Sequence, residues 1–140
     1  MSPIEIKTRI REAVWNNMMY ARNEQGLRQA LREFADIRRE LPRMRLRSAA
    51  TRYNMDLVDA LDVDDMLDVC EMAAYASLQR CESRGPHFRE DYPYTDNENW
   101  LKQIVVRRTG GEIKTRLEAV EQKYIRYKAE RIDYLKDPFA

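Results

Sequence analysis

The sequence predicts a mainly α fold, in which three antiparallel helices are followed by a short β-hairpin and an extended tail. Three observations carry this. Apolar residues recur at helical spacing in three segments before residue 85. Breakers are sparse, 4 Gly and 5 Pro in 140 residues, so little of the chain is punctuated. After Gly85 the helical period stops, and a strand-like stretch with a Gly-Gly turn takes over.

The first helix opens at Ser2-Pro3-Ile4-Glu5. Ser2 is placed to cap, Pro3 suits the first helical position, and Glu5 stands three residues after the cap. Ile6, Ile10, Ala13, Val14, Met18 and Ala21 continue at helical spacing, which predicts a helix over residues 3–22. Asn23 opens the second. Its stripe is Leu27, Ala30, Leu31, Phe34, Ile37 and Leu41, and Pro42 ends it because the proline ring clashes with the preceding turn. The short turn between the two makes them antiparallel neighbours. Asn54 or Asp56 caps a third helix expected to reach Arg84, with Leu57, Leu61, Met66, Val69, Ala73 and Leu78 among its apolar positions. Gly85 is the expected stop, and Pro86 blocks continuation.

Residues 86–99 are polar and aromatic without a helical period. Residues 101–108 read as a strand, Thr109-Gly110-Gly111-Glu112 as a turn, and residues 113–120 as the returning strand. The tail from Tyr124 is charged and aromatic with no period. Residues 1–100 are thus expected to form a helical bundle domain with a helix-end motif. Residues 101–140 are expected to form the hairpin and an extended tail packed on it.

Composition bounds the function. Hydrophobic residues make up 44% and charged residues 35%, which excludes both a disordered chain and a membrane-embedded one. The net charge of +1 hides an asymmetry. Residues 1–52 carry 12 Lys/Arg against 6 Asp/Glu, residues 53–100 carry 3 against 12, and residues 101–140 carry 10 against 6. This predicts an acidic third helix compensated by basic neighbours, not a chain built to coat nucleic acid. The N-terminus lacks the basic start and apolar core of a signal peptide, and no apolar run approaches a membrane span. Cys70 and Cys81, if both on the third helix, lie about 16 Å apart along its axis, beyond disulfide reach. Their usage fits a reducing, cytoplasmic compartment.

Most catalytic signatures are absent from the sequence. It has no GxGxxG, no phosphate-binding lysine loop, no HExxH, and a single histidine, His87. The acidic run Asp62-Val63-Asp64-Asp65-Met66-Leu67-Asp68 is not a calcium loop, because Leu67 stands where the loop needs Gly and Ala73 where it needs Glu. It reads as a solvated helix face. The arginines at 43, 45, 47 and 52 can grip phosphates, but the acidic helix beside them is the nearer partner.

One segment concentrates ion-pairing groups at a helix end: Glu82-Ser83-Arg84-Gly85-Pro86-His87-Phe88-Arg89-Glu90-Asp91-Tyr92-Pro93. With Asp96-Asn97-Glu98-Asn99-Trp100-Leu101 after it, this segment resembles the C-terminal region of the succinate dehydrogenase/fumarate reductase flavoprotein family. L-aspartate oxidase and the adenylylsulfate reductase flavoprotein are relatives of that family. Upstream, Leu61, Met66-Leu67-Asp68-Val69 and Glu71 resemble the helix before the motif. Ile10-Arg11-Glu12, Trp15 and Arg22-Asn23-Glu24-Gln25-Gly26-Leu27 resemble the family's first helix and turn. The resemblance covers residues 4–108 and is weaker over residues 109–140. Pro86 stands where the family often has Ala.

The resemblance implies a spectrin-repeat-like three-helix bundle with a small extended extension. It implies the C-terminal helical domain of an FAD-dependent oxidoreductase, acting in structure and docking without an active site of its own. FAD then belongs to the parent enzyme, and no cofactor to this chain. Glu82, Ser83, Arg84, Gly85, His87, Arg89, Asp91 and Tyr92 are the candidates for docking to the flavin domain. The FAD-binding domain or subunit is the expected partner, with an iron–sulfur subunit or another protomer beside it. No nucleic acid and no direct membrane insertion are expected. Peripheral placement at the inner face of the cytoplasmic membrane would come through partner subunits. Two other readings stand: a free-standing interaction module or small subunit of a split flavoenzyme, and a nucleic-acid-binding helical domain.

Overall fold

Capping residues set the helix starts. Ser2 Oγ accepts from Glu5 N and the Glu5 carboxylate accepts from Ser2 N at 2.6 Å, a reciprocal box that starts α1, Pro3–Met18. Asn23 accepts from Gly26 N at 2.9 Å and starts α2, Glu24–Glu40, which tightens into a 3-10 turn at Leu41–Arg43. Asn54 accepts from Leu57 N at 3.2 Å and starts α3, Met55–Gln79. The computed structural model describes residues 1–124, 126–133 and 136.

The three helices share one core. Ile6, Ile10 and Ala13 from α1, Leu27, Ala30, Phe34 and Ile37 from α2, and Val63, Leu67 and Ala74 from α3 are buried together. A Cβ on Gly26 would lie 3.2 Å from the Asn17 carbonyl oxygen, so the missing side chain lets α2 start close against α1. Ion pairs give the directions. Arg9 meets Glu40, so α1 and α2 run oppositely, and Lys7 meets Asp59 at 2.7 Å and Asp62 at 3.0 Å, so α1 and α3 run together. Arg38 bonds Asp64, Asp68 and Glu71 from α2. Asp59, Asp68 and Glu71 of α3 are thus paired with cations of its neighbours, while Asp62, Asp64 and Asp65 remain largely solvent-exposed.

Two helix ends differ from expectation, and tertiary pairing explains both. α1 stops at Met18, not at Arg22, because Ala21–Arg22 becomes a strand, β1. β1 pairs in parallel with β2, Phe88–Arg89, and Glu90 N donates to Arg22 O at 2.9 Å. α3 stops at Gln79, not at Arg84, so Cys81 lies beyond the helix, and both cysteines are free thiols. Gly85, at φ +55°, serves a tight turn closed by the reciprocal bonds of Arg84 and His87 rather than the helix C-cap.

The fold class is accordingly mixed α/β, not the mainly α bundle with one small hairpin that the sequence predicts. Besides β1–β2, strand β3, Tyr94–Asp96, pairs antiparallel with β6, Arg131–Asp133, from the tail. The hairpin joins β4, Lys102–Thr109, to β5, Glu112–Ala119, in register from Lys102↔Ala119 to Thr109↔Glu112. Gly110 and Gly111, both at positive φ, make its two-residue turn. Strands of two or three residues have no alternation to read, and they form only when a distant segment supplies their hydrogen bonds. The hairpin is tied to α3, where Arg108 pairs with Glu71 and with Asp68 at 3.2 Å.

Candidate functional site

The segment after α3 turns on a buried arginine. Arg89 is 1% exposed. Its Nη1 donates to Ser77 O at 2.7 Å and Arg80 O at 3.1 Å, the unpaired carbonyls at the end of α3. Its Nε and Nη2 donate to Asp91 Oδ1 at 2.7 Å and Oδ2 at 2.6 Å. Asp91 in turn accepts from Glu24 N at 3.0 Å, the first amide of α2. The Arg89 guanidinium holds the Asp91 carboxyl below the usual carboxylate range.

Glu82 and Ser83 build the other wall. Glu82, fully buried, accepts from Arg80 Nη1 at 2.5 Å, Arg84 Nε at 2.9 Å, Arg84 Nη2 at 3.0 Å and Asp96 N at 2.8 Å. A buried carboxylate is tolerable only with such complete pairing. Ser83 Oγ accepts from Arg89 N at 2.9 Å and donates to Tyr92 O at 2.8 Å. Thr95 Oγ1 donates to Ser83 O at 2.6 Å. Tyr92 lies under the Arg89 guanidinium, 5.0 Å from ring centroid to Cζ.

His87 faces the end of α1. Its Nδ1 lies 3.2 Å from Arg22 Nη1, its Nε2 is buried, and the backbone of Arg80 interacts with the ring. Burial, and then the cations Arg22, Arg80 and Arg89, push its pKa down to about 4, so the ring is neutral near pH 7.

The structure thus brings all eight candidate residues into one helix-end assembly and divides them. Glu82, Ser83 and Arg89 face inward, whereas Arg84, Gly85, His87, Asp91 and Tyr92 keep exposed edges. Arg80 and Asp96, which bind Glu82, are not among the candidates. Arg80 follows an ordinary helix pattern and Asp96 an irregular stretch, so neither carries a local signal. Arg22 has one, since it sits in the Arg22-Asn23-Glu24 run of the resemblance.

The residues present do not fit a dinucleotide. The four glycines lie in the first turn of α2, the Arg84–His87 turn and the hairpin tip, and none joins a strand to a helix N-terminus as a pyrophosphate cradle requires. No group of three or more His, Cys, Asp or Glu among the described residues is arranged for a metal ion. No helix among the described residues is long and apolar enough to cross a membrane.

Three helices closed at one end by short strands and a buried arginine–carboxylate cluster define a helical domain with a helix-end assembly. Residues 7–134 match the profile of the fumarate reductase flavoprotein C-terminal family, and the chain belongs to that family. It is 32% identical over 109 residues to the succinate dehydrogenase flavoprotein subunit of Coxiella burnetii, covering 78% of this chain and 19% of that one. It is 30% identical over 106 residues to one subunit of the fumarate reductase (CoM/CoB) of Methanothermobacter marburgensis, covering 76% and 19%. The chain therefore spans about a fifth of the length of these curated relatives, as the C-terminal domain of such a flavoprotein does. Among solved structures, the Mycobacterium smegmatis Sdh1 complex in its apo form superposes with a TM-score of 0.77 at 27% identity, over 88% of this chain and 21% of that one. E. coli quinol fumarate reductase, at 22% identity, shares the fold with a TM-score of 0.84 over 90% of this chain and 22% of that one.

Proposed function

We propose that this domain seats the flavin-binding domain of its own enzyme at the motif end of the bundle, as a scaffold and not as the reacting centre. The observation that carries this reading is the helix-end assembly itself, whose Arg84, His87, Asp91 and Tyr92 keep exposed edges around a buried, tightly bonded interior of Glu82, Ser83 and Arg89. An exposed apolar strip lies at the same end. Trp15 is 70% and Tyr20 69% exposed, and Tyr20 stacks on Phe88 with ring centroids 6.0 Å apart. Aromatic residues beside arginines are what protein interfaces favour.

In this reading Arg84, Gly85, His87, Asp91 and Tyr92 touch the flavin domain, while Glu82, Ser83 and Arg89 hold them in place. FAD is bound by that domain. The assembled enzyme is a succinate dehydrogenase/fumarate reductase-type oxidoreductase. An iron–sulfur subunit is its partner, and membrane attachment is peripheral, through other subunits.

The test uses the full enzyme that carries this domain. Arg84→Ala and His87→Ala should weaken domain association and lower the melting temperature while kcat stays within about twofold. Unchanged association and melting would refute the docking role. A loss of kcat by orders of magnitude with assembly intact would replace it with a catalytic one.

A further inference from the structure

The outer face of the β4–β5 hairpin carries a charge arrangement that the fold itself does not explain. Along that face the cross-strand pairs are Gln103↔Glu118, Val105↔Arg116, Arg107↔Lys114 and Thr109↔Glu112. The opposite face meets α3, through Arg108 with Glu71 and Asp68, and through Thr115 Oγ1, which donates to Gln79 Oε1 at 3.1 Å. Arg107 and Lys114 are both exposed and stand directly opposite each other. Like charges in that position repel across the ladder. No carboxylate among the described residues lies within ion-pair distance of either. Glu118 is already engaged by Arg116 at 2.6 Å and by Gln103 at 3.0 Å.

From this we infer that the outer face of the hairpin binds a short acidic segment of a protein, with Arg107 and Lys114 as its paired cations. The bracketing acids set the partner class. Successive same-face rows of a strand are about 7 Å apart, so Glu112 and Glu118 stand one row beyond the cations and their neighbour Arg116. A nucleic acid, with phosphates at close and regular spacing, would run onto those glutamates at once. A peptide carrying two or three carboxylates fits between them. Val105, half-buried beside Arg116, offers the apolar contact that such a segment would add. This surface is independent of the helix-end docking proposed above, and either can stand without the other.

The experiment titrates the isotope-labelled full chain with a hexaglutamate peptide, and separately with a hexathymidylate of the same length, at about 0.15 M salt, where loose surface attraction is screened. Hexaglutamate should give saturable amide shifts confined to residues 103–118. Arg107→Glu should weaken that binding at least fivefold. The same substitution creates an opposite-charge cross-strand pair, so it should raise the melting temperature by about 1–4 °C. Lys114→Glu should do both again. The inference is overturned by absence of saturable shifts, by hexathymidylate binding as tightly as hexaglutamate, or by shifts centred on the connector at residues 43–52. It is also overturned if both reversals lower the melting temperature, since the cation pair would then be a structural element.

Discussion

Arg89 and Asp91 join two helix ends through one ion pair. The guanidinium sits on the open carbonyls that finish α3, and the carboxylate sits on the open amide that begins α2. Each charge lies at the dipole end that favours it, and the two neutralise each other at 2.6 Å. The strand pair β1–β2 brings this segment against the turn between α1 and α2. The Arg89–Asp91 pair and the β1–β2 pairing therefore tie all three helices together at the motif end.

Removing Arg89 should be the most damaging change outside the apolar core. Arg89→Ala leaves Asp91 without its cation and the end of α3 without its donors, and a loss of about 3 kcal/mol in urea unfolding is expected. Arg89→Lys restores the charge but not the fork, so less than half of that loss should return.

His87 predicts an acid-side weakening. Its folded pKa, about 4, lies below the ordinary 6.5, so the unfolded chain binds its proton first as pH falls. Stability should therefore decline from about pH 6.5 to about pH 4. His87→Gln should flatten the melting temperature over that window. Equal slopes in the two proteins would show that His87 does not contribute.

A second acid-side loss comes from the connector. The Arg47 side chain, and then its amide, hold the Asp56 carboxyl at about 2, below the ordinary 3.8. The stabilisation is present above the ordinary carboxylate range and is lost as pH falls from about 4 to about 2. Asp56→Asn should remove that limb and leave the His87 window unchanged, which a melting series from pH 7 to pH 2 separates.

Gly85 tests the turn alone. A Cβ there meets nothing within 4 Å, so the cost of Gly85→Ala is the left-handed backbone, about 1 kcal/mol by chemical denaturation. Gly85→Asn should cost less than half as much. A larger loss from Ala would mean that the turn is packed against something beyond this chain.

Much of the helical body is legible in the residues. The caps at Ser2, Asn23 and Asn54 and the Gly110-Gly111 turn each depend on groups within four positions of one another. The stripe from Leu27 to Ile37 announces its burial by period alone. The candidate site is legible as a group, because Glu82 to Tyr92 crowds ion-pairing residues beside a glycine and carries the family pattern. Its division is not legible, since an arginine that finishes a helix and one that faces outward look the same in a sequence.

Three helices, one hairpin and an acidic third helix between basic neighbours follow from the order of residues alone. Packing between distant segments fixes the early ends of α1 and α3, the four short strands that make the fold mixed, and the burial of Arg89 while His87 stays half-buried. The physical reason is range. Caps, turns and helical stripes are settled by neighbours along the chain, whereas a two-residue strand or a buried ion pair exists only when segments far apart in sequence supply its partners.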